Sequence, residues 1–431
     1  MAFPTGYTYR DRICLKETMV DTSDQTMDVV LPITALSSSL QSLMNSDGSD
    51  LRISKDDGTT RLAHDVILDA SGNASELHIY GVWNYNAKTY IKVWANGTDT
   101  LEAAGSTYGQ HAAYASAVAA FWPLNNDPDS DASDAILDRT SNAYHGTTNG
   151  TMTASNLLDG KIGKGLDLNG TTQYISLSNS IVTGSTVAIE LWFKLDSAHT
   201  CKLFEHNSAA GYFKVGISSG VVDFNVVSSA GDKTITSGSR DNTQWTHVLA
   251  VAVENGDMKL WVNGSLVAND TCGTFSGIST YGTVIGADRR GTQSWTNGMV
   301  DEVRITHANL STSYAKTRHN IESDVVAAWD TAVYGTDAVA LGTTPIDVTI
   351  DVPDATFGSP LSGTVTLSGS PVDGATVNIF NETDGTQATE TTNASGQWSH
   401  MAKLGKNYTV TFEYETGGNK YTALPHSYVE T

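Results

Sequence analysis

The stretch QWTHVLAVAVENGDMKLWVNGSLV, residues 244–267, decides what kind of chain this is. After Met258 the side chains alternate with a period of two, Lys259, Trp261 and Asn263 opposing Leu260 and Val262. That is the rhythm of a β-strand, not the 3.6-residue rhythm of a helix. The strand runs straight into Asn263-Gly264, a dipeptide suited to a tight hairpin turn. Working outward, comparable units recur between FWPL (residues 121–124) and MVDEVRI (residues 299–305): QYISL, VAIELWFKLD, KLFEH, YFKVGIS, VVDFNVVS and GTVIGA. Short strands at such regular spacing, with glycine or Asn-Gly turns between them, predict a two-sheet jelly roll. The polar HANLSTSYAKTRHNIE that follows Ile305 predicts a closing helix.

The flanks repeat the strand theme in shorter units. Residues 7–109 hold MDVVLPI, LRISKD, HDVILDA, ELHIYGVW and TYIKVWANG, with one or two helical turns in SSSLQSLMNSDGSDL. This predicts a first β-sandwich. GQHAAYASAVAA (residues 109–120) is an alanine-rich connector, either a short helix or an extended linker. After Thr343 the hairpin signals SPVDGA, ETDG and NASGQ alternate with TVTL, TVNIF and YTVTFEY, predicting a smaller third sandwich. The expected fold class is all-β: three β-sandwich domains in series, residues 1–112, 113–338 and 339–431, the central one a two-sheet jelly roll.

Composition limits the function. The 431 residues carry 47 Asp+Glu against 25 Lys+Arg, a net charge of −22. Such a surface repels phosphate backbones and anionic lipid, which argues against nucleic-acid partners. The acids are scattered, so their first role is to keep a large surface soluble. No apolar run reaches membrane-spanning length, so no membrane insertion is expected. Cys14, Cys201 and Cys272 show no CxxC or zinc spacing, and free thiols are expected unless the loops of Cys201 and Cys272 are neighbours. The start, MAFPTGYTYRDRICLKE, shows no apolar export-signal region. The Asn-X-Ser/Thr triplets at Asn96, Asn149, Asn169 and Asn263 read as turns.

FWPLNN with ILDRTSNAYHGT, GKIGKGLDLNGTTQYISL, AIELWFKLD, QWTHVLAVAVENGDMKLWVNGSLV and GMVDEVRITHANLS fall in the order and spacing of one known jelly roll. The middle domain resembles the concanavalin A-like, laminin-G-like family in all five. The first domain, through DVVLPI, SDGSDLRISKDDGTTRLAHDV and YIKVWANG, resembles a family of uncharacterised β domains that often precede such jelly rolls. The last, through GTVTLSGSPVDGATVNIFNETDG and NASGQW, is similar to carboxypeptidase-regulatory or transthyretin-like sandwiches. Such combinations occur in bacterial surface proteins and in tailed-phage virion proteins: fibres, adhesins and head decorations. With no export signal read at the N-terminus, the resemblance implies a non-enzymatic virion surface protein, assembled in the host cytoplasm. Its partners would be other virion proteins, further copies of itself and host-surface glycans. An exported bacterial cell-surface adhesin and a polysaccharide-degrading enzyme are the alternatives.

Strand alternation in VDEVRI expects Val300, Glu302 and Arg304 on one face and Asp301, Val303 and Ile305 on the other. Adjacent acids on opposite faces cannot act on one atom. Jelly-roll glucanases carry E-x-D-x-E strands, whereas the same-face neighbours of Glu190 are Ala188, Trp192 and Lys194. No H-E-x-x-H, G-x-S-x-G or P-loop occurs, and His247 reads as a packed strand residue. No catalytic residue is therefore expected. The loop NNDPDSDASDAILD offers oxygen donors for Ca²⁺, but Ala132 in the glycine place of an EF-hand, and no flanking helix pair, argue against that motif. The family resemblance implies instead a structural Ca²⁺ held by Asp138 and Asp301 with backbone carbonyls; a solvated acidic loop is the alternative. For a glycan, the expected contacts are Glu190, Trp192, Tyr212, Arg289, Arg290 and Trp295, an aromatic and polar set on strands and edge loops. The arginine pair has a second reading, solvating an acidic protein or meeting a neighbouring subunit. Trp122, Trp192, Trp245 and Trp261 read as strand residues, where core packing is the commoner role, so Trp192 carries both readings; Trp398 likewise fits the packing of the last sandwich.

Overall fold

The computed structural model describes residues 7, 9–97, 100–129, 133–177, 181, 184–208, 212–275, 280–288, 291, 293–330, 336–337, 346–351, 360–367, 370–381, 385–401, 407–416 and 419–429. Strands dominate them, with two short α-helices, Ser38–Leu43 and Thr312–Ser323. The jelly roll comprises an eight-stranded and a seven-stranded antiparallel sheet. In the first, the last strand, Asn297–Thr306, lies between Thr186–Leu195 on one side and both Lys164–Asn169 and Val118–Trp122 on the other. FWPL thus pairs antiparallel with VDEVRI, Trp122 opposite Val303. In the second, Tyr212–Ser218 is flanked by Cys201–Ser208 and Val221–Ser228.

Alternation explains the core. Phe213, Val215 and Ile217 point inward from one strand, Val222, Phe224 and Val226 from the next, and they meet Trp122, Ile189, Leu191 and Phe193 of the facing sheet in one buried cluster. Burial of each large apolar side chain contributes about 1.5–3 kcal/mol. The hairpin at Asn263-Gly264 has φ of 48° and 72°, both in the left-handed region that a two-residue turn needs.

In the first domain, Gln25–Pro32, Ala74–Trp83 and His64–Leu68 form a three-stranded sheet opposite a six-stranded one that contains Tyr9–Leu15 and Thr89–Ala95. The six-stranded sheet is completed from far along the chain: Cys14 pairs with Asp330 and Arg10 with Asp337. Trp329 packs edge-on to Trp83 with ring centroids 5.8 Å apart. Residues beyond the jelly roll therefore return to close the first domain. Towards the C-terminus, two further four-stranded sheets surround Val365, Val377, Trp398, Val410 and Phe412. Cys14, Cys201 and Cys272 are all buried free thiols, and no described helix is long and apolar enough to cross a membrane.

The Thr312–Ser323 helix is a wedge between the first domain and the jelly roll. Ala315 packs with Leu249, Val251 and Trp261 on the eight-stranded sheet, while Ile321 enters the core of the first domain. Its start is fixed by Ser311, whose Oγ accepts from Tyr314 N–H at 3.1 Å. Ser311→Ala is expected to cost about 1 kcal/mol, measured as a lower urea midpoint at unchanged slope.

Candidate functional site

The register of the last strand slips beside Glu190. Glu190 lies opposite Arg304 but Trp192 lies opposite Asp301, so Glu302 and Val303 together face Leu191. This is a β-bulge, with Glu302 at φ 52°. The extra residue resets the alternation: Val300, Val303 and Ile305 all enter the core. Asp301, Glu302 and Arg304 are buried outside that core, on the side facing the first domain. The opposed-face expectation for Asp301 and Glu302 is therefore corrected, because a single inserted residue puts both acids on one side.

That side is shut by the first domain and the helix. Asp28, from Gln25–Pro32, accepts from Arg304 Nη2 at 2.9 Å and Arg318 Nη2 at 3.0 Å, all three residues buried. Burial would raise the Asp28 carboxyl, but the two guanidinium groups and His78 hold it well below the usual carboxylate range. Glu190 is closed in the same way. His247 Nε2 lies 3.1 Å from its Oε1, and Tyr314 donates to Oε2 at 3.1 Å. Burial opposes ionisation there too, yet the hydrogen bond from His247 and the charge of Arg318 outweigh it and hold Glu190 at about 2. Trp192 donates Nε1–H to Glu322 at 2.7 Å and stacks on His319.

Glu190 and Trp192 are thus 4% and 2% exposed, which corrects their reading as glycan contacts: their polar atoms hold the seam between domains. His247 is a packed strand residue, and Trp122, Trp261 and Trp398 are core, whereas Trp245 is half-buried. Arg289 and Arg290 lie outside the described residues. Trp295 is half-buried beside the Cys201–Ser208 strand, where Lys202 N–H donates to Ser294 O at 2.9 Å, and its Nε1 has no partner among the described residues.

Tyr212 is half-buried on the outer face of the seven-stranded sheet. The same face carries Lys202, Glu205, Lys214, Asp223 and Asn225, in register across three strands. Lys214 Nζ stands 3.3 Å from Asp223 Oδ2. A Cβ at Gly216 would come within 2.7 Å of Cys201 O and 3.2 Å of Asp223 Oδ1, so the glycine leaves room for this carboxylate to lie along the sheet. Asn225 donates to Thr234 Oγ1 at 2.5 Å. Asp223 Oδ1 and Asn225 Oδ1 are buried and accept from nothing. Sequence reasoning singled out Tyr212 but not Asp223 and Asn225, although the alternation of VVDFNVVS leaves two polar residues on the face away from the core.

The calcium pair does not fit. Asp138 accepts from Phe121 N–H at 3.0 Å, Thr140 N–H at 2.9 Å, Thr140 Oγ1 at 3.0 Å and Tyr144 N–H at 2.8 Å. Asp301 accepts from Lys161, Ile162 and Glu302 N–H at 2.7, 2.9 and 2.9 Å. Donors aimed at these oxygens occupy the positions from which a cation would approach. The metal-ligating side chains that do converge among the described residues are Glu76, His78 and Glu302. Burial, and after it neighbouring acids, pushes Glu76 up to about 8 and lifts Glu302 well above the usual range.

Residues 169–314 match the family model of the concanavalin A-like lectin/glucanases superfamily, in its laminin-G form. No curated protein matches the chain by sequence. Among solved structures, domain 4 of an extracellular GH43 arabinanase from Geobacillus stearothermophilus, in complex with arabinotriose, is 24% identical over 46% of this chain and 96% of its own, with a TM-score of 0.37. The receptor binding domain of botulinum neurotoxin mosaic serotype C/D is 11% identical over 71% of this chain and 72% of its own, TM-score 0.37. The binding domain of Paraclostridial Mosquitocidal Protein 1 is 12% identical over 70% and 92%, TM-score 0.37. Overlays this loose carry nothing about ligand or activity.

Proposed function

We propose that the jelly roll is a glycan-binding module and that the protein is a non-catalytic recognition component of a tailed-phage virion surface. It would be mounted as a head decoration, fibre or tail adhesin, among other virion proteins and further copies of itself, and would engage host-surface glycans. One observation carries the binding reading. With the outer face of the eight-stranded sheet taken up by the seam, the outer face of the seven-stranded sheet presents the half-buried Tyr212 beside Lys214, whose ammonium is held by Asp223 buried beneath them. A sugar fits such a face: C–H patches for the tyrosine ring and hydroxyl oxygens for the lysine ammonium. The concanavalin-type family match over residues 169–314 supports the same reading. The non-catalytic reading rests on the acids, since those of the seam are shut from solvent and Asp223 is paired with Lys214. The virion assignment draws on the resemblance of the three-domain arrangement.

A glycan array that includes bacterial capsular and surface polysaccharides tests this directly. Binding is expected, and Tyr212→Ala should weaken it by about tenfold or more, the loss of one good stacking contact, at unchanged thermal stability. Absence of any bound glycan, or full affinity in the variant, would overturn the binding reading. Reducing-sugar release that disappears in Asp223→Asn would overturn the non-catalytic one.

A further inference from the structure

We propose that Glu76, His78 and Glu302 form a buried site for a divalent cation of the zinc or manganese class, which joins the first domain to the jelly roll. This is independent of the glycan reading and lies away from the sheet face that carries it. Glu76 and His78 sit two residues apart on Ala74–Trp83, so strand alternation turns both toward the same side. Glu302 comes to them from the bulge of the last strand. One ligand atom from each lies within 4.8 Å of the others, and the three residues are 1%, 0% and 3% exposed.

The second observation is what these atoms lack. Glu76 Oε1, His78 Nε2 and both Glu302 oxygens are buried without a hydrogen-bond partner. Four orphaned acceptors in one closed space are costly unless something positive satisfies them, because each forfeits its hydration and gains nothing. The other buried acids of the seam have partners: Asp28 has two arginines, Glu190 has His247 and Tyr314, and Asp65 has Arg139 and Tyr114. Glu76 and Glu302 form no ion pair among the described residues, and the oxygens named above accept no hydrogen bond.

His78 is also set up as a ligand. Its Nδ1 faces Asp28 Oδ2 at 3.4 Å, which favours the tautomer with the proton on Nδ1 and leaves the Nε2 lone pair free. A carboxylate behind an imidazole is the usual outer partner of a metal-bound histidine. Backbone closes the space from the jelly-roll side, where a Cβ at Gly163 would stand 2.7 Å from Glu76 Oε2. One nitrogen with two carboxylates suits zinc or manganese, whereas calcium prefers an all-oxygen shell of six to eight. Zinc ligands stand roughly 3–3.5 Å apart around the ion, so small side-chain rotations would complete the site.

A buried site loads as the domains come together, so the test uses folding. The full tag-free chain is refolded from urea with Zn²⁺, with Mn²⁺ or with chelator, freed of excess metal and assayed by elemental mass spectrometry. About one equivalent of metal per chain is expected, with a higher urea midpoint for the loaded protein. Glu76→Gln/Glu302→Gln, which keeps side-chain shape, should abolish both the uptake and the midpoint shift. Retention of no metal by the wild type, or full uptake by the double variant, which would mean adventitious binding elsewhere, overturns the proposal. If the double variant does not fold, X-ray absorption of the loaded wild type decides. A shell with one imidazole nitrogen among oxygens supports the site, and a shell without imidazole or with sulfur overturns it.

Discussion

Asp28→Ala is expected to destabilise the protein by about 3–5 kcal/mol, the range found when one partner of a buried ion pair is removed. The reason lies in what remains. Arg304 and Arg318 are each 2% exposed, and both direct guanidinium nitrogens at this one carboxylate. Without it, two like charges face each other out of reach of water, and His78 loses its hydrogen-bond partner. Asp28→Asn should cost nearly as much, because an amide keeps the shape but not the charge. The Lys164–Asp159 pair makes the contrast: at 2.6 Å it is shorter than either Asp28 contact, yet Asp159 is 93% exposed. Solvent screens such a pair, so Asp159→Ala should leave the urea midpoint unchanged. Equal effects of Asp28→Ala and Asp159→Ala would show that water reaches the seam.

This contrast also marks what the sequence could convey. Local rhythm made the strands legible: Met258–Val262 alternates as read, Asn263-Gly264 turns as read, and FWPL pairs with VDEVRI as first and last strands should. The helix after Ile305 was legible from its polar run. What failed was face assignment at one point. Alternation holds only while the register does, and the extra residue at Glu302 moves two acids to the same side without changing any local pattern. The seam was hidden for a second reason: its partners are nearly three hundred residues apart, as Asp28 and Arg304 are. Glu190 and Trp192 look like surface residues until another domain covers them. Two signals did exist. Glu76 and His78 are titratable residues at period two on one strand, and GKIGKG places glycines where backbone must approach Asp301 and Glu76 closely. Neither signal names its partner, so neither could be read without the fold.

Acid should withdraw the stabilisation that two buried neutral histidines provide. His64 and His206 are 3% and 0% exposed, and both are held down to about 4. Burial is the main cause in each. For His64 a contact with Leu62 O opposes it and Arg52 reinforces it. An unfolded histidine titrates near 6.5, so between pH 6.5 and 4 the unfolded chain takes up protons that the folded one refuses. The stabilisation is complete above pH 6.5, is lost progressively as pH falls to 4, and changes no further below that for these groups. That difference between folded and unfolded imidazoles corresponds to roughly 3 kcal/mol per histidine. Glu76, pushed up to about 8, acts in the opposite direction as pH falls, its burial costing less once the carboxyl is protonated. Glu190, held at about 2, adds a further loss only as pH drops below about 4.5. Urea midpoints at pH 7, 5.5 and 4 should therefore be compared between the wild type and His206→Gln, so that the carboxyl contribution cancels. His206→Gln, which can still hydrogen-bond Thr283, should lose roughly 3 kcal/mol less than the wild type between pH 7 and 4. Parallel pH profiles of the two would mean that the His206 imidazole is not buried as neutral base.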